Sequence, residues 1–216
     1  MKNIYKFSII ALAMLTTNAV NAQLFAKKGE KPDIEVDTDA KAQFDNQIQE
    51  NRVEARSKLK PYKYNGTKST TFTYKPYDYV KTIEILTVEK TDYKFSFIAT
   101  LVKYGNITIK IYDKPSTTPG RTLLFERADV GGDDFTVSLD EMNEKFRATK
   151  AAKSSLDPEL IARMRLKKVY VEYHIPAVDL DEEVMSEGDP ESNNQQVTRT
   201  IKYSAMVVAV GYKNEQ

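Results

Sequence analysis

The chain carries a single histidine, His174, and neither cysteine nor tryptophan among its 216 residues. That inventory narrows the available chemistry. A nucleophilic triad needs an imidazole base beside an activated hydroxyl or thiol. His174 lies in a strand-like run, and no Gly-x-Ser-x-Gly elbow occurs anywhere in the chain. Its plain reading is an exposed strand histidine. Zinc sites call for several histidines or cysteines, and no glycine-rich phosphate-cradling motif is present. No catalytic, cofactor-binding or metal-ligating residue is assigned, and no cofactor is expected.

Carboxylates are plentiful. Asp129, Asp133 and Asp134 surround Gly131-Gly132, an oxygen-rich segment of the type that suits a hard cation. Their spacing is not that of the twelve-residue calcium loop, and a turn whose glycines adopt positive φ accounts for the same residues. From Asp179 to Gln196 runs an acidic segment with no basic residue, which reads as a solvated loop. Paired carboxylates can hydrolyse glycosides, so a carboxylate-dependent glycoside hydrolase stays an alternative. So does a carbohydrate-binding module, with outward-pointing Tyr112 and Tyr170 as stacking faces. Both tyrosines serve equally well as cross-strand partners.

The elements that must position these residues are mostly strands. From Thr70 onward the hydrophobic period is two. Phe72 and Tyr74 alternate with threonines, and Tyr79–Val88 is rich in β-branched residues. Tyr93, Phe95, Phe97, Ala99 and Leu101 share one face, with Ile98 and Val102 interrupting the polar side. Ile107, Ile109 and Ile111 alternate with polar residues, as do Val169, Val171, Tyr173 and Ile175 with Lys168, Tyr170, Glu172 and His174. Runs at 121–127, 135–139 and 197–212 complete the set, the last apolar on both faces and so suited to a central position. Turn signals at Gly105-Asn106, Pro115–Gly120 and Gly131-Gly132 separate them. The pattern predicts a mainly β fold, an antiparallel β-sandwich with an N-terminal helix and a short helical insertion. Ser138 with Glu141 forms a capping-box pattern, and Asp157-Pro158 a second helix start.

The N-terminal helix is predicted from Thr38 or Asp39 to about Lys58, ended by Pro61. Ala40, Phe44, Ile48, Ala55 and Leu59 fall on one narrow face. Phe44, Ile48 and Leu59 are therefore the candidate face for a partner, the alternative being an ordinary surface helix. Lys58–Lys68 reads as a basic, tyrosine-bearing connector with the turn pair Asn65-Gly66. Interleaved cations and tyrosines can stack on single strands, but a chain of net charge +1 offers no electrostatic case for nucleic acid.

At the N-terminus, Lys2 and Lys6 precede an apolar stretch from Phe7 to Leu15, then small and polar residues ending Asn21-Ala22. This is the layout of a secretory signal peptide cleaved after Ala22, too short to span a bilayer. Without a cysteine after the cleavage point, no lipid anchor is expected, and no later segment has the length of a transmembrane span. The expected organisation is residues 1–22 signal peptide, 23–68 flexible leader and helix, and 69–213 sandwich domain. The ending Asn21-Ala22-Gln23, with a lysine- and tyrosine-rich body, resembles exported proteins of the Bacteroidota. The resemblance implies a Gram-negative envelope context and no specific activity. The chain is expected to be exported and periplasmic rather than extracellular, a non-catalytic binding or scaffolding protein for a protein partner in the envelope.

Overall fold

The structure is a computed structural model that describes residues 38–88, 91–178 and 203–214. The expected signal peptide at 1–22, the expected leader at 23–37, the acidic segment and the start of the last expected strand at 197–202 lie outside the described residues. Helix α1 (Thr38–Ser57) is followed by β1 (Lys63–Thr73), β2 (Tyr79–Leu86), β3 (Thr91–Leu101), β4 (Ile107–Tyr112), β5 (Leu123–Val130) and β6 (Asp134–Ser138). Then come α2 (Leu139–Lys153), α3 (Pro158–Arg163), β7 (Lys168–Ile175) and β8 (Tyr203–Asn214). Among the described residues these strands form two four-stranded antiparallel sheets, ordered β1-β8-β3-β6 (sheet A) and β2-β7-β4-β5 (sheet B). The expected β-sandwich is what the chain builds.

The core lies between the sheets, where the alternation places it. Phe95 and Phe97 of β3, Ile107, Ile109 and Ile111 of β4, and Val169, Val171 and Tyr173 of β7 are completely buried there, beside Met206 and Val208 of β8. Phe97, Phe135 and Phe125 stack in a row, with ring centroids 4.8 and 5.9 Å apart. Leu101 departs from the expected pattern. A bulge between Ile98 and Leu101 interrupts the pairing of β3 with β8, and an extra residue reverses which face later side chains meet. Leu101 consequently joins Ile98 on the outer face of sheet A, while Val102 enters the core.

That outer face is not solvent. Helix α1 packs on it, burying Ile48, Ala55 and Leu59 against Ile98, Leu101, Ala205, Val207 and Ala209, with Phe44 and Tyr62 at the margin. This corrects the reading of Phe44, Ile48 and Leu59 as a partner-binding face: their apolar stripe is spent on the chain's own sheet. Burying a side chain of this size contributes about 1.5–3 kcal/mol, so even a thin stripe holds the helix. Polar contacts set its position. Arg52 Nε donates to Ser69 Oγ at 3.0 Å, Thr100 Oγ1 donates to Asn51 Oδ1 at 3.0 Å, and Lys58 Nζ joins Glu54 at 3.1 Å and also Asp134 of β6. At Gly211 a Cβ would sit 2.9 Å from the Tyr62 Cβ and 3.2 Å from the Leu59 Cβ. Only glycine admits the turn that follows the helix.

The expected boundary between residues 68 and 69 also moves. Lys63–Thr73 is continuous strand paired with β8, and Asn65-Gly66 marks a register shift between Tyr64 and Gly66 rather than a hairpin turn. The long β8 has backbone groups to satisfy along its second half, and the residues read as a connector supply the partners. The helical insertion forms as its caps direct. The Ser138 hydroxyl accepts from Asp140 N, and the Asp157 carboxylate accepts from Glu159 N ahead of Pro158.

Two outcomes follow. Amides of α1 from Ile48 to Ser57 should show hydrogen-exchange protection well above that of an isolated helix, and Ile48→Asp should lower the unfolding midpoint. Fast exchange with an unchanged midpoint would overturn the packed-layer assignment. The second outcome concerns Tyr62, whose hydroxyl donates to Asp92 Oδ2 at 2.5 Å. That bond and then burial raise its pKa from the ordinary 10.0 to about 12. The phenol holds its proton longer in the folded chain than in the unfolded one. Its contribution is complete below pH 10 and is lost as pH rises toward 12. Tyr62→Phe should flatten the alkaline limb of stability against pH in that window, measured by denaturant unfolding.

Candidate functional site

With sheet A covered, the outward side chains of sheet B are the place to look for function. Tyr112 of β4 and Tyr170 of β7 stand directly opposite each other there. Neither offers the open ring face that sugar stacking requires. The Arg121 guanidinium lies 3.8 Å from the centre of the Tyr112 ring, and Tyr170 is only 8% exposed. The carbohydrate platform expected at these two tyrosines is therefore corrected: they are a cross-strand pair, each with a cation over its ring, Arg121 on Tyr112 and Lys168 on Tyr170.

Beside them lies a group that the sequence left unmarked. Glu172 points outward from the sandwich and is nevertheless 1% exposed. One carboxylate oxygen accepts from Arg121, and the other faces His174 Nε2 at 3.1 Å. A carboxylate only accepts, so the proton of that contact belongs to Nε2 and fixes the ring's orientation. The signal was a Glu-x-His step on an alternating strand, which puts both side chains on one face. The partner Arg121 comes from the β4–β5 loop, fifty-one positions away in sequence, and no local pattern announces it. The loop is held by Thr122 N donating to Asp113 Oδ1 at 2.5 Å, with Gly120 at φ 64° making the turn.

The surrounding face is a lattice of opposite charges. Across β7, Glu172 sits between Thr82 of β2 and Lys110 of β4. Lys110 pairs with Glu126 at 3.1 Å, and Lys168 with Glu84 at 3.1 Å. Each of these hydrogen bonds raises the pKa of its lysine.

At one end of the face the segments around Asp78, Asn106 and His174 form an open cleft of about 290 Å³. Asp78, Tyr79, Val80, Asn106, Thr108 and His174 line it, together with Ile175 and Pro176. Its walls are braced: Ala177 N donates to Asp78 Oδ1 at 2.5 Å, and Tyr79 OH donates to Thr73 O at 2.5 Å. Asn106 packs so tightly on Gly131 that a Cβ there would come within 2.3 Å of Oδ1. Chemically the arrangement presents an oriented imidazole, an amide, a hydroxyl and a carboxylate to the same small space.

The aspartates of the β5–β6 turn diverge. Asp129 takes φ 55° and Gly132 φ 74°, as a tight turn demands. Asp133 pairs with Arg127 and Asp134 with Lys58. Among the described residues no group of three or more His, Asp or Glu side chains is placed to hold a metal ion. No described helix is long and apolar enough to cross a membrane.

No protein-family model matches this chain, and no curated protein matches it either. Among solved structures it is similar to chains described as the structures of the Gt and Gx strains of infectious bursal disease virus. The identities are 11% and 12% and the TM-scores 0.26 and 0.21, with 72% and 71% of this chain covered. This chain spans only 37% and 33% of those chains. At such scores the likeness carries no argument.

The buried carboxylate makes a specific prediction. Arg121→Met leaves Glu172 desolvated without its cation and should cost about 3 kcal/mol, the low end for removing one partner of a buried pair. Adding Glu172→Gln should recover most of that loss in urea unfolding. A single-variant loss under about 0.5 kcal/mol would show the pair to be as weak as a surface bridge.

Proposed function

We propose that the protein is an exported, non-catalytic binding or scaffolding protein of the Gram-negative envelope, and that it meets a protein partner through the outer face of sheet B. The observation that carries this reading is the asymmetry of the sandwich. Helix α1 occupies the outer face of sheet A, and α2 packs on β3, β5 and β6, which leaves the β2–β7–β4 surface as the broad face without a helical cover among the described residues. That surface mixes exposed apolar side chains, Val80 at 48% and Leu86 at 66%, with the paired charges of Glu84–Lys168 and Lys110–Glu126. A mixed surface of this kind is typical of non-obligate protein interfaces.

A binding role is supported over hydrolysis by the state of the acids on this face. Glu84, Glu126 and Glu172 are each held by a cation, whereas two-carboxylate hydrolysis needs one acid free to give a proton and another free to attack or activate water. Export rests on Lys2, Lys6, the apolar stretch and the small residues before Gln23.

The test is affinity capture from native envelopes with the mature protein beginning at Gln23. Thr82→Arg together with Leu86→Asp should abolish recovery of the partner at an unchanged unfolding midpoint. Val53→Asp, on the exposed side of α1, should leave recovery intact. Capture that survives the sheet substitutions, or is lost with the helix substitution, would move the interface elsewhere.

A further inference from the structure

The cleft at the end of sheet B has a chemical character that the protein-partner reading does not use. Lysine and arginine are absent from its lining, and Lys75, the cation beside it, is held over the Tyr79 ring with its Nζ 4.8 Å from the ring centre. The cleft holds one carboxylate, Asp78, already accepting a backbone hydrogen bond on Oδ1, too few oxygen ligands for a bound cation. Half of its lining residues, Tyr79, Val80, Ile175 and Pro176, are apolar, and the other half carry groups that hydrogen-bond neutral hydroxyls: the Asn106 amide, the Thr108 hydroxyl, the Asp78 carboxylate and the His174 imidazole.

Three features indicate a preorganised site. His174 is oriented by a carboxylate that is itself buried and neutralised by Arg121, and a ring fixed in this way presents Nδ1 in one defined direction. Asn106 is wedged against Gly131, and Asp78 is anchored to the chain after β7. The volume, about 290 Å³, is at the small end of ligand pockets, which run to roughly 300–1,000 Å³. It suits one ring-sized residue of a longer chain and leaves the rest outside.

We infer that this cleft is a saccharide subsite that takes a single uncharged sugar residue of a glycan, with Asp78, Asn106, Thr108 and His174 as its hydrogen-bonding groups. The inference does not rest on the protein-partner reading: the cleft shares Val80 with that face but needs neither Leu86 nor the Lys168–Glu84 and Lys110–Glu126 pairs. It also differs from the stacking site first expected at Tyr112 and Tyr170, whose rings are occupied.

The experiment is an amide-resolved NMR titration of the purified protein with three uncharged tetrasaccharides (chitotetraose, cellotetraose and mannotetraose), with oligogalacturonate as an anionic probe and an unrelated acidic peptide as a protein-like probe. At least one uncharged tetrasaccharide should shift amides at Asp78, Asn106, Thr108 and His174, and Asn106→Ala or Thr108→Val should weaken it at least tenfold with the unfolding midpoint preserved. Glu172→Gln, which loosens the imidazole without touching the cleft, should weaken it less than Asn106→Ala. No cleft shift with any of the three overturns the inference, as does a response confined to oligogalacturonate or the peptide. Shifts that persist unchanged in Asn106→Ala and Thr108→Val would equally remove these residues from the site.

Discussion

Strand β8 presents Met206, Val208 and Val210 to one side and Ala205, Val207 and Ala209 to the other, all of them buried. A strand apolar on both faces has to be covered twice, and the rest of the architecture answers that requirement. Sheet B closes over one side and completes the sandwich. The other side offers only small and β-branched residues, with glycine at position 211, so a helix and the turn after it can approach closely. A sheet with a polar outer face would have needed no α1. The thin apolar stripe of this helix, which suggested a loosely held or partner-seeking element, is matched in width to the row of small residues beneath it.

With sheet A covered by α1, the outer face of sheet B is the broad face without a helical cover among the described residues. The residues there are not a generic solvated surface. Glu172 is withdrawn from water and held between Arg121 and His174, an arrangement that adds little net stability and much orientation: removing Arg121 would strand the Glu172 charge, while all three together fix one geometry. The ordering passes along β7 to His174 and so to the wall of the cleft.

The edges of the sandwich are closed as well. On the β1/β2 side, Lys68 Nζ donates to the Glu84 carbonyl at 2.7 Å and Lys81 Nζ donates to the Thr71 carbonyl at 2.6 Å. Each edge strand thus caps a backbone acceptor of the other, which blunts strand addition at a place where two unpaired edges lie together. On the far side β6 is short, and α2 follows it directly. Pairing of a foreign strand is thereby disfavoured at the β1/β2 edge.

The alternation of apolar and polar residues sufficed to identify the sandwich, its core side chains and the central position of β8, because a period of two is a local property and burial on both faces is written in composition. Helix caps at Ser138 and Asp157 were legible for the same reason: the donor and acceptor are two positions apart. What sequence could not carry was any relation between distant segments. Arg121 meets Glu172 only because the β4–β5 loop folds back over β7. Leu101 changes faces because of a bulge that depends on β8. Phe44, Ile48 and Leu59 are indistinguishable, as a stripe, from a helix awaiting a partner. The stripe specifies that something apolar must cover it; that the cover is the chain's own β8 depends on a strand about 150 residues later, and only the tertiary fold brings the two together.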